Sequence, residues 1–360
     1  MELLTQIWVE KLIIATMGNI FFELWNPTGL SNQVMSLEIA IGLSSVTKKQ
    51  VVVHHMSNND NSLYNFKKVP IYTPSTWNND QRKGFTNQDQ FPHLAELLDW
   101  NENLILFDEK IDYFPQQEKE TKDTCLEYYY SNEAEMSDDE IAFADGRKRI
   151  DLSKSVHLKG TLGWYGRFFY NRSTQLDAAL GSVKFKKEYR DFAKMVSDSI
   201  GKFQGMHLRL SDQLKYINTT QEMFESWLTR FEKNDIPIVV STCEPGNKMV
   251  LENKHRFILL DEYIVNNFAK EFHDLEYQDE VVFGLICNLV LHDSVNFVGT
   301  SSSTYSAYIH RNRNQKGIET WDFFDNPPKA DGQPYSWNNH YLDSGEKMWW
   351  REWSESKLNL

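Results

Sequence analysis

The chain is poor in cysteine, with three in 360 residues: Cys125, Cys243 and Cys287. They lie far apart, are odd in number and form no C-x-x-C pair, so the sequence indicates neither a disulfide framework nor a zinc knuckle. This usage is typical of a protein from a reducing compartment. We therefore expect a cytoplasmic protein.

A long uninterrupted hydrophobic run is also lacking. The most apolar stretch near the N-terminus, residues 7–25, is broken by Glu10, Lys11, Asn19 and Glu23. It has neither a basic leader nor a small-residue cleavage site, so it predicts buried strands and not a membrane anchor. We expect a soluble protein with no stable membrane insertion.

Positive charge is in deficit too. The chain has 51 acidic and 38 basic residues, a formal net charge of −13, and it shows no basic patch of the kind that nucleic acid requires. We therefore exclude nucleic acid as a partner. An anionic small molecule stays open, because a local cluster of arginines can bind one inside an acidic protein.

The sequence does contain alternating strand and helix patterns, over a length that suits two domains. A strand at 20–25, a turn with Gly29, a helix at 30–45 and a strand at 51–53 predict a β-α-β unit. Residues 99–152 are polar and acidic, and they predict surface loops, with an insertion at about 115–150.

The second half alternates more regularly. Helices are predicted at 184–200, 219–233, 279–291 and 302–311, and strands at 203–208, 236–240, 257–260 and 295–298. This pattern favours the α/β class, with a parallel sheet covered by helices. The predicted division is an N-terminal domain at 1–175, a C-terminal domain at 176–330, and a tryptophan-rich tail at 331–360 that packs across both.

Three segments place polar residues at predicted strand ends, where open α/β sheets bind ligands. The first contains His207, Arg209 and Asp212. His207 and Arg209 are two residues apart on a strand end and can share a face. The planar guanidinium of an arginine can make two hydrogen bonds to a diphosphate, and Asp212 can orient the Arg209 side chain. The alternative is a solvated Arg–Asp pair.

The second segment ends a strand at Gly299 and runs into a helix through five hydroxyl residues: Thr300, Ser301, Ser302, Ser303 and Thr304. A helix N-terminus with such donors suits phosphate oxygens. An ordinary N-cap needs only one of them. The third segment, at the first strand-to-helix turn, has Gly29 for close backbone approach and Asn32 and Gln33 as amide donors.

Together the three segments resemble the GDP-fucose-dependent fucosyltransferases, a superfamily of protein O-fucosyltransferases, α-1,6-fucosyltransferases and nodulation fucosyltransferases. The family has a Gly…Asn-Gln helix start, a His-x-Arg-x-x-Asp and a Phe-x-Gly-Thr…Ser-Thr-x-Ser. The resemblance covers about residues 20–312. The matching residues are Gly29, Asn32 and Gln33; His207, Arg209 and Asp212; Phe297, Gly299, Thr300, Ser303, Thr304 and Ser306.

This resemblance implies a GT-B fold, in which two Rossmann-like domains face each other across a cleft and the nucleotide sugar binds the C-terminal one. It implies inverting, metal-independent transfer of fucose to a glycan or protein hydroxyl, without a cofactor. Arg209 would neutralise the β-phosphate, Thr304 and its neighbours would hold the pyrophosphate, His207 would line the nucleotide pocket, and Asn32 would face the donor sugar or its phosphate. Soluble members occur in bacteria and in large viruses of algae, which implies a bacterial or virus-infected cytoplasm.

Two positions depart from the family pattern. The aspartate that reads guanine, ten residues before Phe297, is Cys287 here, with Asn288 beside it. A thiol cannot pair with guanine as a carboxylate does, so another donor, such as UDP-xylose, stays open. Some relatives have a catalytic Glu just before the N-terminal motif, where this chain has Thr28 and Gly29.

Glu23 is the candidate base that remains nearby. The missing carboxylates also leave open a non-catalytic sugar-nucleotide-binding protein. A nicotinamide-dependent enzyme is disfavoured, because neither half carries G-x-G-x-x-G after its first strand.

Overall fold

The computed structural model describes residues 19–24, 30–47, 50–55, 94–99, 105–108, 125–128, 156–160, 183–210, 221–242, 244–300 and 303–315. The chain divides into two compact units: the described residues up to Lys184 belong to the first, and those from Phe185 onward to the second. The predicted domain boundary at 175–176 and the predicted tail at 331–360 lie outside the described residues.

The first unit is built on a parallel sheet with the strand order β4-β2-β1-β6-β5. Its elements in chain order are β1 (Asn19–Leu24), α1 (Leu30–Thr47), β2 (Gln50–His55), α2 (Leu94–Leu97), β3 (Leu98–Asp99), β4 (Ile105–Asp108), β5 (Cys125–Tyr128) and β6 (Val156–Gly160). Helix α1 lies between β1 and β2 in the chain and buries Val34, Leu37 and Ile41. The predicted β-α-β unit is therefore confirmed.

The prediction of loops throughout residues 99–152 is wrong at two places. Ile105–Asp108 and Cys125–Tyr128 are β4 and β5, the edge strands of this sheet. The second of them falls inside the insertion predicted at about 115–150. Each strand has four residues, and edge strands of natural sheets are often this short and flanked by charge, which limits pairing with other chains. The acidic composition around these two segments therefore concealed them.

The second unit follows β7 (Lys184–Phe185) and contains a four-stranded parallel sheet in the order β10-β9-β8-β11. Its elements are α3 (Lys187–Ile200), β8 (Gln204–Leu208), α4 (Gln221–Phe231), β9 (Ile238–Thr242), α5 (Lys248–Asn253), a 3-10 turn at Lys254–Arg256, β10 (Ile258–Leu259), α6 (Leu260–Asn267), α7 (Ala269–His273), α8 (Glu280–Leu291), β11 (Phe297–Gly299) and α9 (Thr304–Gln315). Both units thus confirm the α/β class.

Every residue of β8, β9 and β11 is buried, because helices cover the sheet. On one side Met206, Val240 and Val298 pack against Phe224 and Leu228 of α4. Complete burial of one such apolar side chain stabilises the folded state by roughly 1.5–3 kcal/mol. One part of the core therefore lies between α4 and the central strands, which carry the candidate site at their ends.

The predicted strand at 236–240 begins later, at Ile238, because Pro237 has no N–H to give to a ladder. Its carbonyl still accepts a hydrogen bond from the Gln204 N–H at 2.9 Å. Helices α5, α6 and α7 were not predicted, since five to eight residues are too few to establish a helical period. None of the helices that the structure describes has the length and apolar character needed to cross a bilayer.

Helix α8 begins at a buried acidic N-cap, Asp279. Its Oδ1 accepts hydrogen bonds from the N–H groups of Val281 at 2.6 Å and Val282 at 3.1 Å. Burial raises the pKa of Asp279 from 3.8 to about 6, against the lowering effect of those two amides, and Glu280 raises it further. The folded state therefore favours the protonated carboxyl.

We expect Asp279→Asn to remove a pH-dependent part of the stability. Because the folded pKa lies above the ordinary value, this contribution is present below about pH 4 and is lost as the pH rises through about 6. A shift of this size corresponds to about 3 kcal/mol. Urea unfolding of wild type and variant between about pH 4 and pH 7 should show the variant gaining up to that amount relative to wild type. A difference that does not change with pH would contradict the assignment.

Candidate functional site

Each sheet has a topological switch point, which is a strand with strands that follow it in the sequence on both of its sides. In the first sheet β1 lies between β2 and β6, and in the second β8 lies between β9 and β11. Ligands of open α/β sheets bind outside the carboxyl ends of the strands at such a point. His207 and Arg209 lie at the carboxyl end of β8, and Gly299 and Thr300 at that of β11. The topology therefore brings the two candidate segments of the second unit together.

Thr300 joins these two strand ends directly. Gly299 pairs with His207 in the sheet, and one residue later the Thr300 N–H and hydroxyl both donate to the His207 carbonyl, each at 3.1 Å. The same hydroxyl accepts from the Arg209 N–H at 2.9 Å. Thr300 is fully buried. The main chain of Arg209 is thus fixed against the residues that lead into α9.

His207 ties β8 to the first turn of α9. Its Nδ1 lies 2.7 Å from the Ser306 Oγ, in hydrogen-bond contact, and its ring stacks on Tyr305 with centroids 4.4 Å apart. The imidazole is buried. These two contacts hold α9 on β8, and the role of His207 in lining a nucleotide pocket stays a prediction.

Gly299 has no room for a side chain. A Cβ built on it would overlap both the Cβ and the Oγ of Ser306. Because those atoms belong to a short side chain close to the helix backbone, α9 would have to move away from β11 to admit alanine. The glycine of the second segment is thus required by close packing of the helix start on the strand end.

Ser303 precedes α9 and carries a buried hydroxyl, 1 % exposed, which makes no hydrogen bond to any part of the chain that the structure describes. An ordinary N-cap serine would accept a bond from an amide of the first turn. Buried polar atoms without a partner are uncommon in folded proteins. The N-terminus of a 12-residue helix carries partial positive charge. Within the described residues, this hydroxyl is therefore an unsatisfied polar group at the positive end of α9.

The remaining candidates fall partly outside the described residues. Arg209 is half-buried just beyond β8. Glu23 is the next-to-last residue of β1, Asn32 lies in the first turn of α1 and Thr304 begins α9. The structure does not describe the side chains of these last three residues, nor any part of Gly29, Asp212 and Ser302. Their roles stay predictions.

Cys287 lies on α8 and is buried. Its thiol donates to the Oδ1 of Asp261, a buried carboxylate in the first turn of α6, at 3.5 Å. Sequence reasoning missed Asp261, because it belongs to no motif and lies on one of the short helices. The Asp261 carboxylate thus lies next to position 287, where the family resemblance expects an aspartate.

Helix α8 is also bonded to the start of α9. The Asn288 Nδ2 donates to the Tyr305 carbonyl at 3.3 Å, and the Tyr305 hydroxyl donates to the Gly284 carbonyl at 2.9 Å. Gly284 was likewise missed in the sequence. Within the described ranges, no three or more His, Cys, Asp or Glu side chains are grouped so as to hold a metal ion.

Thr300→Val is expected to lower the free energy of unfolding by about 1–3 kcal/mol, because the isosteric change leaves the part-buried Arg209 N–H without its acceptor. Thr300→Ser keeps the hydroxyl and should lose much less. Urea denaturation of both variants measures the effect. A valine variant as stable as the serine variant would show that the hydroxyl contributes nothing to joining the strands.

Searches with the sequence against protein-family models and against curated proteins find no match. Among solved structures, the fucosyltransferase NodZ from Bradyrhizobium is 12% identical over 81% of this chain and 93% of that one, with a TM-score of 0.44. POFUT1 in complex with GDP is 10% identical over 86% and 98%, with a TM-score of 0.45. Arabidopsis thaliana FUT1 in complex with GDP is 11% identical over 89% and 74%, with a TM-score of 0.48. Because the identities and TM-scores are this low, a functional assignment depends on the residues of this chain.

Proposed function

We propose that the chain is a glycosyltransferase of the GT-B type that binds a nucleotide sugar at the carboxyl ends of β8 and β11. Its donor is GDP-fucose, and it transfers fucose to a glycan or protein hydroxyl with inversion and without a metal ion. The observation that supports this most directly is the Thr300 hydroxyl, which bonds the Arg209 N–H next to the start of α9. An arginine and a helix N-terminus thereby lie at one sheet edge.

The chemistry of the leaving group explains why this pairing is useful. When the bond between the sugar C1 and the phosphate oxygen breaks, its electron pair stays on the diphosphate. Arg209 keeps its positive charge at any relevant pH, and the first turn of α9 offers backbone N–H groups and the Ser303 hydroxyl. Donors already in position stabilise such developing charge. A divalent cation is then not needed for that purpose.

The acceptor hydroxyl attacks C1 from the opposite face and must release a proton. In this proposal Glu23, near the carboxyl end of β1, accepts it. β1 lies at the switch point of the first sheet, where the Gly29 and Asn32 segment follows it in the chain.

We expect GDP, but not UDP, to raise the melting temperature of the protein. A ligand that binds only the folded state adds RT ln(1 + [L]/Kd), about 2.7 kcal/mol at a hundredfold excess over Kd. Thermal unfolding with each nucleotide measures this, and GDP-fucose turnover with and without EDTA then tests the metal-free mechanism. Stabilisation by UDP alone would contradict the fucose donor, and stabilisation by neither would contradict a nucleotide-sugar site.

Cys287 favours a second candidate, the same reaction with another donor such as UDP-xylose. Its thiol donates to Asp261, and a thiol cannot pair with guanine as the carboxylate of the family pattern does. Turnover of UDP-xylose but not of GDP-fucose would establish this alternative. Binding of a nucleotide without turnover of any sugar nucleotide would establish a non-catalytic binding protein instead.

A further inference from the structure

Tyr305 occupies the position that the Ser-Thr-x-Ser pattern leaves open, and it lies in the first turn of α9. Three different parts of this residue contact other elements. Its phenol hydroxyl donates to the Gly284 carbonyl at 2.9 Å, and its main-chain carbonyl accepts from the Asn288 Nδ2 at 3.3 Å. Its ring stacks on His207, with centroids 4.4 Å apart. Tyr305 therefore connects α9 to both α8 and β8.

These contacts hold the start of α9 from two directions. Gly284 and Asn288 lie one turn apart on the same face of α8, and Tyr305 bonds one through its side chain and the other through its main chain. On β8, His207 contacts both the Tyr305 ring and the Ser306 Oγ, the latter at 2.7 Å. Sliding or rotating this end of α9 would break at least one of these contacts. Together they fix the direction in which the N-terminus of α9 points.

Tyr305 differs from the aromatic residues of the core. Phe224, Phe231 and Phe283 are buried, whereas Tyr305 is half-buried and has both its hydroxyl and its carbonyl bonded to α8. Hydrogen bonds depend on direction as well as distance, and burial of apolar area does not. The contacts of Tyr305 are therefore of the kind that sets an orientation.

We propose that Tyr305 is a positioning residue, which orients the N-terminus of α9 toward the diphosphate of the nucleotide sugar without touching the reacting atoms. This inference rests on the proposed function. Donors at a helix N-terminus stabilise the charge that develops on a leaving group when they are already aligned with it. A misplacement of about 1 Å can lower a rate by about 10²-fold. Tyr305 supplies the alignment by fixing α9 to α8 and β8.

The test compares two substitutions of Tyr305 in steady-state turnover of GDP-fucose, or of UDP-xylose if that is the donor. Tyr305→Leu removes the ring and the hydroxyl, and it should lower kcat by about 10²-fold. Tyr305→Phe keeps the ring on His207 and loses only the bond to Gly284, so it should lower kcat by about 10-fold at most. In both variants KM should change less than kcat, because the lost alignment matters in the transition state.

Matched controls separate alignment from stability. Phe192→Leu removes another aromatic ring, which lies on α3 and contacts the rings of Phe268 and Phe272. Tyr263→Phe removes another phenol hydroxyl, which lies 3.1 Å from the Ser199 Oγ. Both control variants should keep the wild-type kcat even where they lower the melting temperature.

Hydrogen–deuterium exchange tests the positioning without a measurement of activity. In Tyr305→Leu the amides of α9 should exchange faster than in wild type, because its first turn is no longer held, while those of α4 should not change. Phe192→Leu should leave the exchange of α9 as in wild type. Each variant is measured well below its melting temperature, so that global unfolding does not contribute.

Wild-type kcat in Tyr305→Leu would overturn the inference, and so would unchanged exchange of α9 in this variant. An equal fall of kcat in Phe192→Leu would overturn it too, because loss of stability would then explain the effect. If wild type turns over no sugar nucleotide, the proposed function itself fails and the inference fails with it. That outcome is distinct from the others, in which wild type is active.

Discussion

Arg209→Ala is expected to lower turnover of the sugar nucleotide by about 10³-fold, in the range seen when a charged or amide donor to a transition-state anion is removed. Thr300 binds the main-chain N–H of Arg209, so replacing the Arg209 side chain should leave the main chain in place. Most of the loss should therefore be in kcat. Arg209→Lys keeps the charge but not the planar fork, and it should recover only part of the rate.

Arg256→Ala is the matched control for this change. Arg256 is paired with Glu232 and Glu225 and not with the candidate site, so its removal should affect stability and leave turnover unchanged. Initial rates with GDP-fucose, together with melting temperatures of all three variants, measure both effects. An Arg209→Ala enzyme as active as wild type would show that this guanidinium does not meet the diphosphate.

Arg313→Met is expected to lower the free energy of unfolding by about 1–3 kcal/mol, the cost of leaving buried carbonyls without their donor. The Arg313 guanidinium is fully buried near the end of α9. It donates to the carbonyls of His292 at 3.2 Å and Val295 at 3.2 Å, and to both the carbonyl and the hydroxyl of Ser294. Burial lowers its pKa to about 10, so it stays charged at neutral pH.

Those carbonyls belong to the turn between α8 and β11, and methionine would leave them buried without this donor. Arg190→Met is the control, because Arg190 also donates to a carbonyl, that of Phe185, but is exposed. Its replacement should change stability little, as at most surface sites. Urea denaturation of both variants measures the difference. Equal stability of the two would show that the turn does not depend on Arg313.

Much of the second unit was predictable, because its strands are continuous apolar runs and its longer helices have clear periods. The ends of β8 and β11 could be paired from topology alone, since parallel strands end at one edge. The hydroxyl of Thr300 as the joining group could not, because a sequence gives no register between Gly299 and His207. The same holds for Arg313, which the sequence shows only as one basic residue among others.

The acidic region at 99–152 was predicted less well. Cys125–Tyr128 has only one strongly apolar residue inside a run of charge, so local composition outweighed a four-residue strand. Asp261 was missed for a related reason: it is buried by tertiary packing, with Cys287 among its contacts, and no local pattern marks it. Residues whose environment comes from distant segments are those that sequence patterns do not identify.

Helix α9 is held at both ends, by Tyr305 and Ser306 in its first turn and by Arg313 in its last. Twelve residues span about 18 Å, so the helix dipole is fixed in direction relative to the sheet before any ligand arrives. An anion at its N-terminus then loses little affinity to ordering of the protein. In the proposed reaction, such rigidity would favour fast, reversible exchange of the diphosphate over slow closure around it.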